Sequence, residues 1–423
     1  MIRKPYLAIA LALSALGITV LPAGMSTAYA EGATATTVPN PAEAVSAEVG
    51  TPLKAAQELY NQKKYKEALD KLNEITVANK TPYETYAIAR TRAAIATASG
   101  DDKLALESYL AVVDSDKLSA DEKLKFIQAI STLYFRKSDY AQAAAWTERF
   151  FKEGGVDPKM HDSLVKAYYL NNDFPHAAQA LQTDLDAAEK AGIAPTEEQL
   201  RILLSLAVKQ KDTPGYVHAL EKFVTYYPKR EYWVDLLSRV QSKPTFSQRL
   251  DLDFYRLEFA MGLITKANAY MEMAELANAS GFPAEAQKVL ETGYKSGVLG
   301  VGPDAAKQKS LLNSVTKKSA DDLKTIAQTE ADVRKTKDGI GLINLGYAYV
   351  TVGQFDKGLP MMEQGVNAPG LKRVDEAKLH LGVAYALAGR NADAIKEFNT
   401  VQGNDGAADL ARYWALQLAH PIP

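Results

Sequence analysis

Hydrophobic positions in this chain recur at helical spacing. In YKEALDKL, Ala68 and Leu72 stand four apart after Tyr65. FPHAAQAL places Ala177 and Leu181 after Phe174 in the same way, FPAEAQKVL places Ala286 and Leu290, and DYAQAAAW sets Ala143 after Tyr140. On a helix such pairs share one face: the small residue allows a neighbouring helix to approach, and the large one fills the space a turn later. No stretch alternates apolar and polar residues for long and no Asn-Gly hairpin turn occurs, so the pattern predicts helices and gives no sheet signal.

A longer period overlies the helical one. Leu345-Gly346 aligns with Leu381-Gly382, Tyr349 with Tyr385, Gly353 with Gly389, Gly358 with Ala394 and Met362 with Phe398, each pair 36 residues apart. Fixed-period self-similarity marks a repeat architecture, in which helix pairs bury their apolar stripes on their neighbours. The turn position held by Phe355 and Asn391 has upstream counterparts at Tyr65, Asp102, Tyr140, Phe174, Thr213, Phe246 and Pro283, spaced by 33 to 39 residues. The gap from Pro283 to Phe355 is twice 36. A hidden unit is therefore expected to turn near Ser319, with helices over 304–316 and 320–335. The total is about ten helix pairs.

These residues resemble the tetratricopeptide repeat (TPR): Leu-Gly, a Tyr three residues on, then Gly, then a small residue, then a large apolar one. The resemblance runs over 53–403. It departs from the family pattern at Lys378, where the consensus has Trp, and keeps the closing Pro only as Pro228 and Pro369. It implies an all-α fold, a TPR-like right-handed α-solenoid. Gly346, Tyr349, Gly358, Gly382, Tyr385, Ala394 and Phe398 would be repeat-packing residues. The stretch 407–419, with Leu410, Tyr413, Trp414, Leu416 and Leu418, would be a C-terminal capping helix; the alternative is an exposed docking helix. In such repeats the first helices present a concave, peptide-binding face. Carried over by spacing, that face has Phe135 and Arg136, then Lys166 and Tyr169, then Arg201 and Lys209, a basic strip interleaved with aromatics. Arginine can hold a carboxylate bidentately, and aromatic rings can cover a side chain. A second aromatic group, Tyr226, Tyr227, Tyr232 and Trp233, reads as core between repeats.

The N-terminal end reads differently. Arg3 and Lys4 precede an apolar run from Tyr6 to Leu21, and Ala28-Tyr29-Ala30 has the small-x-small form of a cleavage site, so residues 1–30 are expected to be a signal peptide cut between Ala30 and Glu31. Residues 31–52, rich in Ala, Thr and Pro, are expected to be a disordered linker, the alternative being a short helix over 42–49. The predicted organisation continues with TPR-like repeats over 53–300, a degenerate repeat over 301–340, two well-preserved repeats over 341–403, and the capping helix with its tail over 404–423.

Composition narrows the chemistry. The 423 residues carry a formal net charge of −2. Loss of the two charges of Arg3 and Lys4 would make the processed chain −4, which offers no basic footprint for nucleic acid. The absence of cysteine excludes disulfides, cysteine metal sites, a cysteine nucleophile and the lipid anchor of bacterial lipoproteins. The five histidines form no metal-ligand motif. Two glycine clusters, 297–302 and 339–346, suggest a phosphate loop, but a helical pattern precedes each where a dinucleotide loop needs a strand. The paired acids, such as Glu197-Glu198 and Asp321-Asp322, read as solvated faces with no catalytic convergence.

The resulting expectation is a non-catalytic periplasmic scaffold without cofactor or metal. It would bind a protein or peptide partner in a cell-envelope machine such as outer-membrane assembly, polysaccharide export or TonB-type uptake. The chain is similar in outline to exported TPR proteins found beside such machines. Two other classes stay open: a helical-toroid enzyme acting on envelope glycans, and a self-assembling structural array.

Overall fold

The computed structural model describes residues 45–336 and 338–423; the expected signal peptide and residues 31–44 of the expected linker lie outside them. The chain forms two compact units, divided between Ile193 and Ala194.

The first unit contains α1 (Ala47–Asn61), α2 (Tyr65–Asn73), α3 (Pro82–Ser99), α4 (Asp102–Leu110), α5 (Ala120–Arg136), α6 (Tyr140–Lys152), α7 (Pro158–Leu170) and α8 (Phe174–Lys190). They pack as four successive pairs. Local chemistry sets the helix starts. Thr81 with Glu84 and Ser119 with Glu122 form capping boxes that open α3 and α5, and the carboxylates of Asp101, Asp139 and Asp173 each accept a backbone N–H at the start of α4, α6 and α8.

Helix α1 begins at Ala47, inside the stretch read as linker, so 47–52 are helical and that boundary is corrected. The cause is visible in the spacing of Val45, Val49 and Leu53, four apart and all buried. The carboxylate of Glu84 accepts from both the backbone N–H and the hydroxyl of Ser46, at 2.8 and 2.6 Å, and ties this entry to α3.

The second unit contains α9 (Glu197–Gln210), α10 (Thr213–Tyr226), α11 (Arg230–Gln241), a short 3-10 turn at Gln248–Leu250, α12 (Asp251–Ala260), α13 (Ala267–Ala279), α14 (Pro283–Lys295), α15 (Ala305–Thr336), α16 (Gly339–Thr351), α17 (Phe355–Val366), α18 (Val374–Leu387), α19 (Asn391–Phe398) and α20 (Ala407–Ala419). Its core is continuous from Leu200 to Trp414.

Eight of the turn markers, Tyr65, Asp102, Tyr140, Phe174, Thr213, Pro283, Phe355 and Asn391, are the first residues of second helices. Two positions before each stands a residue with positive φ: Gly100, Gly281, Gly353 and Gly389, and the non-glycines Lys63, Ser138, Asn172 and Lys211, at φ 56–62°. One left-handed residue thus reverses the chain in each of these eight pairs.

Two markers do not open a second helix. Ser319 lies in the middle of α15, which runs unbroken for 32 residues. The expected turn at Lys317-Lys318-Ser319 contains no Gly or Pro, and nothing there interrupts a helix of good formers. Phe246 precedes the 3-10 turn, and its loop is held from afar: the N–H of Ser247 donates to the carbonyl of Asp405 at 2.8 Å, and Arg249 pairs with Glu376 and Asp405 at 2.9 and 2.7 Å.

Close packing centres on glycines. A Cβ on Gly346 would stand 2.7 Å from the carbonyl oxygen of Gly358, and one on Gly358 would stand 2.4 Å from that of Gly346. The backbones of α16 and α17 therefore touch there. In the next pair Gly382 meets the ring of Phe398, while Ala394 is fully buried. Tyr349 is buried with its hydroxyl donating to Glu330 at 2.7 Å, and Tyr385 donates to Glu363 at 2.7 Å.

Helix α20 covers α18 and α19 and also packs on α12. Trp414 stacks on Phe398 at 6.0 Å between ring centres, Tyr413 meets Trp233 edge-on at 6.5 Å, and the Tyr413 hydroxyl donates to Glu221 at 3.1 Å. The apolar face of this helix is covered by its own chain.

Candidate functional site

The six residues of the expected basic and aromatic strip divide between the units. In the first, α5 turns Phe126, Ile127, Ile130 and Leu133 inward and leaves Arg136 exposed in its last turn, where it pairs with Asp102 at 2.7 Å. Phe135 is half-buried and meets Tyr140 edge-on at 5.3 Å; Tyr169, on α7, meets Phe174 edge-on at 5.8 Å. Tyr60 and Tyr65 make a contact of the same spacing at 6.0 Å. These rings join the end of a first helix to the start of its second, which holds them at the turn. Lys166 is exposed on α7.

In the second unit Arg201 is exposed and pairs with Glu197 at 2.8 Å, and Lys209 is exposed near the end of α9. Glu197 also accepts from Lys229 at 2.9 Å and from the Tyr232 hydroxyl at 3.0 Å. The hydrogen bond from Lys229, then those from Arg201 and Tyr232, pull its carboxyl down to about 2. Of the second aromatic group, Tyr232 and Trp233 are buried, with Tyr232 stacked on Phe223 at 4.2 Å.

A second constellation, in the second unit, was not singled out by sequence. Arg256 on α12 is buried and binds Glu285 on α14 with Nε at 2.8 Å and Nη2 at 2.7 Å, while Nη1 donates to Asp253 at 2.8 Å. His380 on α18 reaches the other oxygen of Asp253 at 3.0 Å, and the Tyr347 hydroxyl on α16 donates to Glu285 at 3.2 Å. The guanidinium lies over the Tyr347 ring at 4.4 Å. Burial would push the Asp253 carboxyl up, but the charges of His380 and Arg256 and their hydrogen bonds hold it down at about 2. Burial likewise opposes the charge on Arg256, and Glu285 more than restores it, leaving the group firmly protonated. A sequence signal existed: LDLDFYRLEF sets Asp253 and Arg256 three apart, flanked by Leu252, Phe254 and Leu257, where buried charges must find partners. Their partners lie 29 and 127 residues away from them, beyond any periodicity.

Beside this network lies a cavity of about 350 Å³. Arg256, Glu285 and Tyr347 form its polar end; Met273, Val289, Val350, Val383 and Trp414 supply buried walls; and Ala260, Lys288, Gly353 and Leu387, all exposed, ring its mouth. The glycine clusters are turn and packing devices: Gly297, Gly300 and Gly302 have positive φ after α14, and 339–346 opens α16 directly after α15. No helix among the described residues is long and apolar enough to cross a membrane.

Residues 343–409 match a family model described as tetratricopeptide repeat. No curated protein matches. Among solved structures, the chain is similar to yeast Sti1 in its TPR2AB-domain complex with pHSP90, at 10% identity over 69% of this chain and 97% of that one, with a TM-score of 0.23. It is similar to yeast Tom70 at 11% identity over 88% of this chain and 95% of that one, with a TM-score of 0.25. The family match and the helix pairing agree on one description: this is an all-α chain of TPR-like helix pairs, with tetratricopeptide repeat sequence over 343–409.

Proposed function

We propose that this protein is a non-catalytic TPR scaffold that binds a protein or peptide partner. The observation that supports the reading is the repeated helix pair itself, with a tetratricopeptide match over 343–409. Stacked pairs place many side chains on one extended surface without requiring a single deep site. The partner-facing surface in the first unit comprises exposed positions of first helices, with Arg136 and Lys166 as its cations.

The place of action we propose is the bacterial periplasm, in an envelope machine of the outer-membrane assembly, polysaccharide export or TonB-type uptake kind. Support comes from the leader-like residues 1–30 and from a cysteine-free, slightly acidic chain. Osmotic-shock fractionation with N-terminal sequencing tests location: release with the periplasmic fraction and a first residue Glu31 support it, and retention in the cytosol with Met1 intact removes it. Crosslinking in cells, followed by co-purification at fixed stoichiometry, tests the scaffold role. A protein that elutes alone after crosslinking, under every growth condition that expresses it, would contradict it.

A further inference from the structure

The cavity of the second unit has the features of a small-molecule site, and nothing in a scaffold role requires it. Its volume of about 350 Å³ lies in the range of about 300–1,000 Å³ usual for ligand pockets. At roughly 30 Å³ for a water-sized group, it holds about ten such groups.

The charges decide which ligand fits. At the polar end, Arg256 is already matched by Asp253 and Glu285, so an anion placed there would face two carboxylates. At the mouth, Lys288 is exposed and has no ion-pair partner among the described residues. The walls between are apolar, from Phe259, Met273, Val289, Val350, Phe355 and Val383. Trp414 lines the same space, and its indole N–H is buried without an acceptor among the described residues. An apolar body inside matches the apolar walls, and one negative group outside matches Lys288.

We propose that the cavity binds an amphipathic monocarboxylate with about ten heavy atoms, its carboxylate at Lys288 and its apolar body against Val350, Val383 and Trp414. Octanoate is the probe and 1-octanol its uncharged control, titrated into the full chain by calorimetry and by tryptophan fluorescence, in which Trp414, of the three tryptophans, lines the cavity. Octanoate is expected to bind saturably at one site per chain and more tightly than octanol. Lys288→Glu should weaken octanoate by about fivefold or more, the worth of a surface ion pair, and leave octanol unchanged. Ala260→Phe, which narrows the mouth from an exposed position, should weaken both while circular dichroism stays as in the wild type. Saturable binding of neither probe to the folded wild type would overturn the proposal. So would an octanoate affinity that Lys288→Glu leaves unchanged.

Discussion

Arg256 grips the carboxylate of Glu285 with two parallel hydrogen bonds, at 2.8 and 2.7 Å, joining α12 to α14 in the interior of the second unit. The third arm of the guanidinium holds Asp253, and Asp253 in turn holds His380 on α18. Three helices are thus tied by one hydrogen-bonded network.

Removing the central cation leaves the Asp253 carboxylate to His380 and the Glu285 carboxylate to the Tyr347 hydroxyl, with no arginine to match them. Arg256→Met is expected to destabilise the second unit by about 3–5 kcal/mol, and Arg256→Lys by less, because lysine keeps the charge but loses the fork. Urea unfolding followed by circular dichroism measures both. A loss below about 1 kcal/mol for Arg256→Met would mean that the network adds little beyond packing.

The same network predicts an acid response. Asp253 is held at about 2, below its ordinary 3.8, so its ionised form is favoured by folding. The stabilisation is complete above pH 4 and is lost as the pH falls through about 2. Its size is about 2 kcal/mol by linkage. Other carboxyls, among them Glu84 and Glu197, are also held low, so the informative quantity is a difference. Between pH 5 and 2.5 the wild type should lose more stability than Asp253→Asn. Parallel pH profiles would place the acid sensitivity elsewhere.

The left-handed turn residues offer a gain of stability. Lys63, Ser138 and Lys211 occupy positive φ where Gly100, Gly281, Gly353 and Gly389 serve in sister pairs. Replacing Ser138 by glycine should stabilise the first unit by up to about 1 kcal/mol, and Gly389→Ala should cost a similar amount in the second. The midpoints of thermal unfolding report the sign.

At the contact of α16 and α17 the cost should exceed any propensity gain. Gly346→Ala puts a methyl against backbone atoms of Gly358 and Met362, and neither can move aside as a side chain could. A loss of about 2–3 kcal/mol is expected, where an ordinary helical Gly→Ala change would stabilise. Gly382→Ala meets only the ring of Phe398 and should cost less.

Much of this fold was legible because its determinants are local. The period of the small and large apolar residues located eight second helices at their first residue, and the Asp caps and left-handed turns that start them lie within a few positions. What was not legible is nonlocal or hidden in a plain stretch. Nothing around Ser319 announces that α15 continues, since an expected turn there rested on counting alone. The partners of Phe246's loop and of α20 lie more than a hundred residues away in sequence, so spacing could not show that α20 packs on α12 as well as on its neighbours. Repeat spacing places Phe135 and Tyr169 on the concave face; spacing does not show that Tyr140 and Phe174, five residues on, meet them at the turn. The Arg256 network was missed because its two halves are far apart, although Asp253 and Arg256, set among Leu252, Phe254 and Leu257, were there to be questioned.

The scaffold role is tested most directly on the first unit by reversing charge at its exposed first-helix positions. Affinity of the crosslinked partner, once identified, would be measured by calorimetry for the wild type and for Arg136→Glu with Lys166→Glu. A weakening of about tenfold or more is expected, since two attractive surface contacts become repulsive, with helicity unchanged. Affinity equal to that of the wild type, in a variant that remains folded, would contradict it.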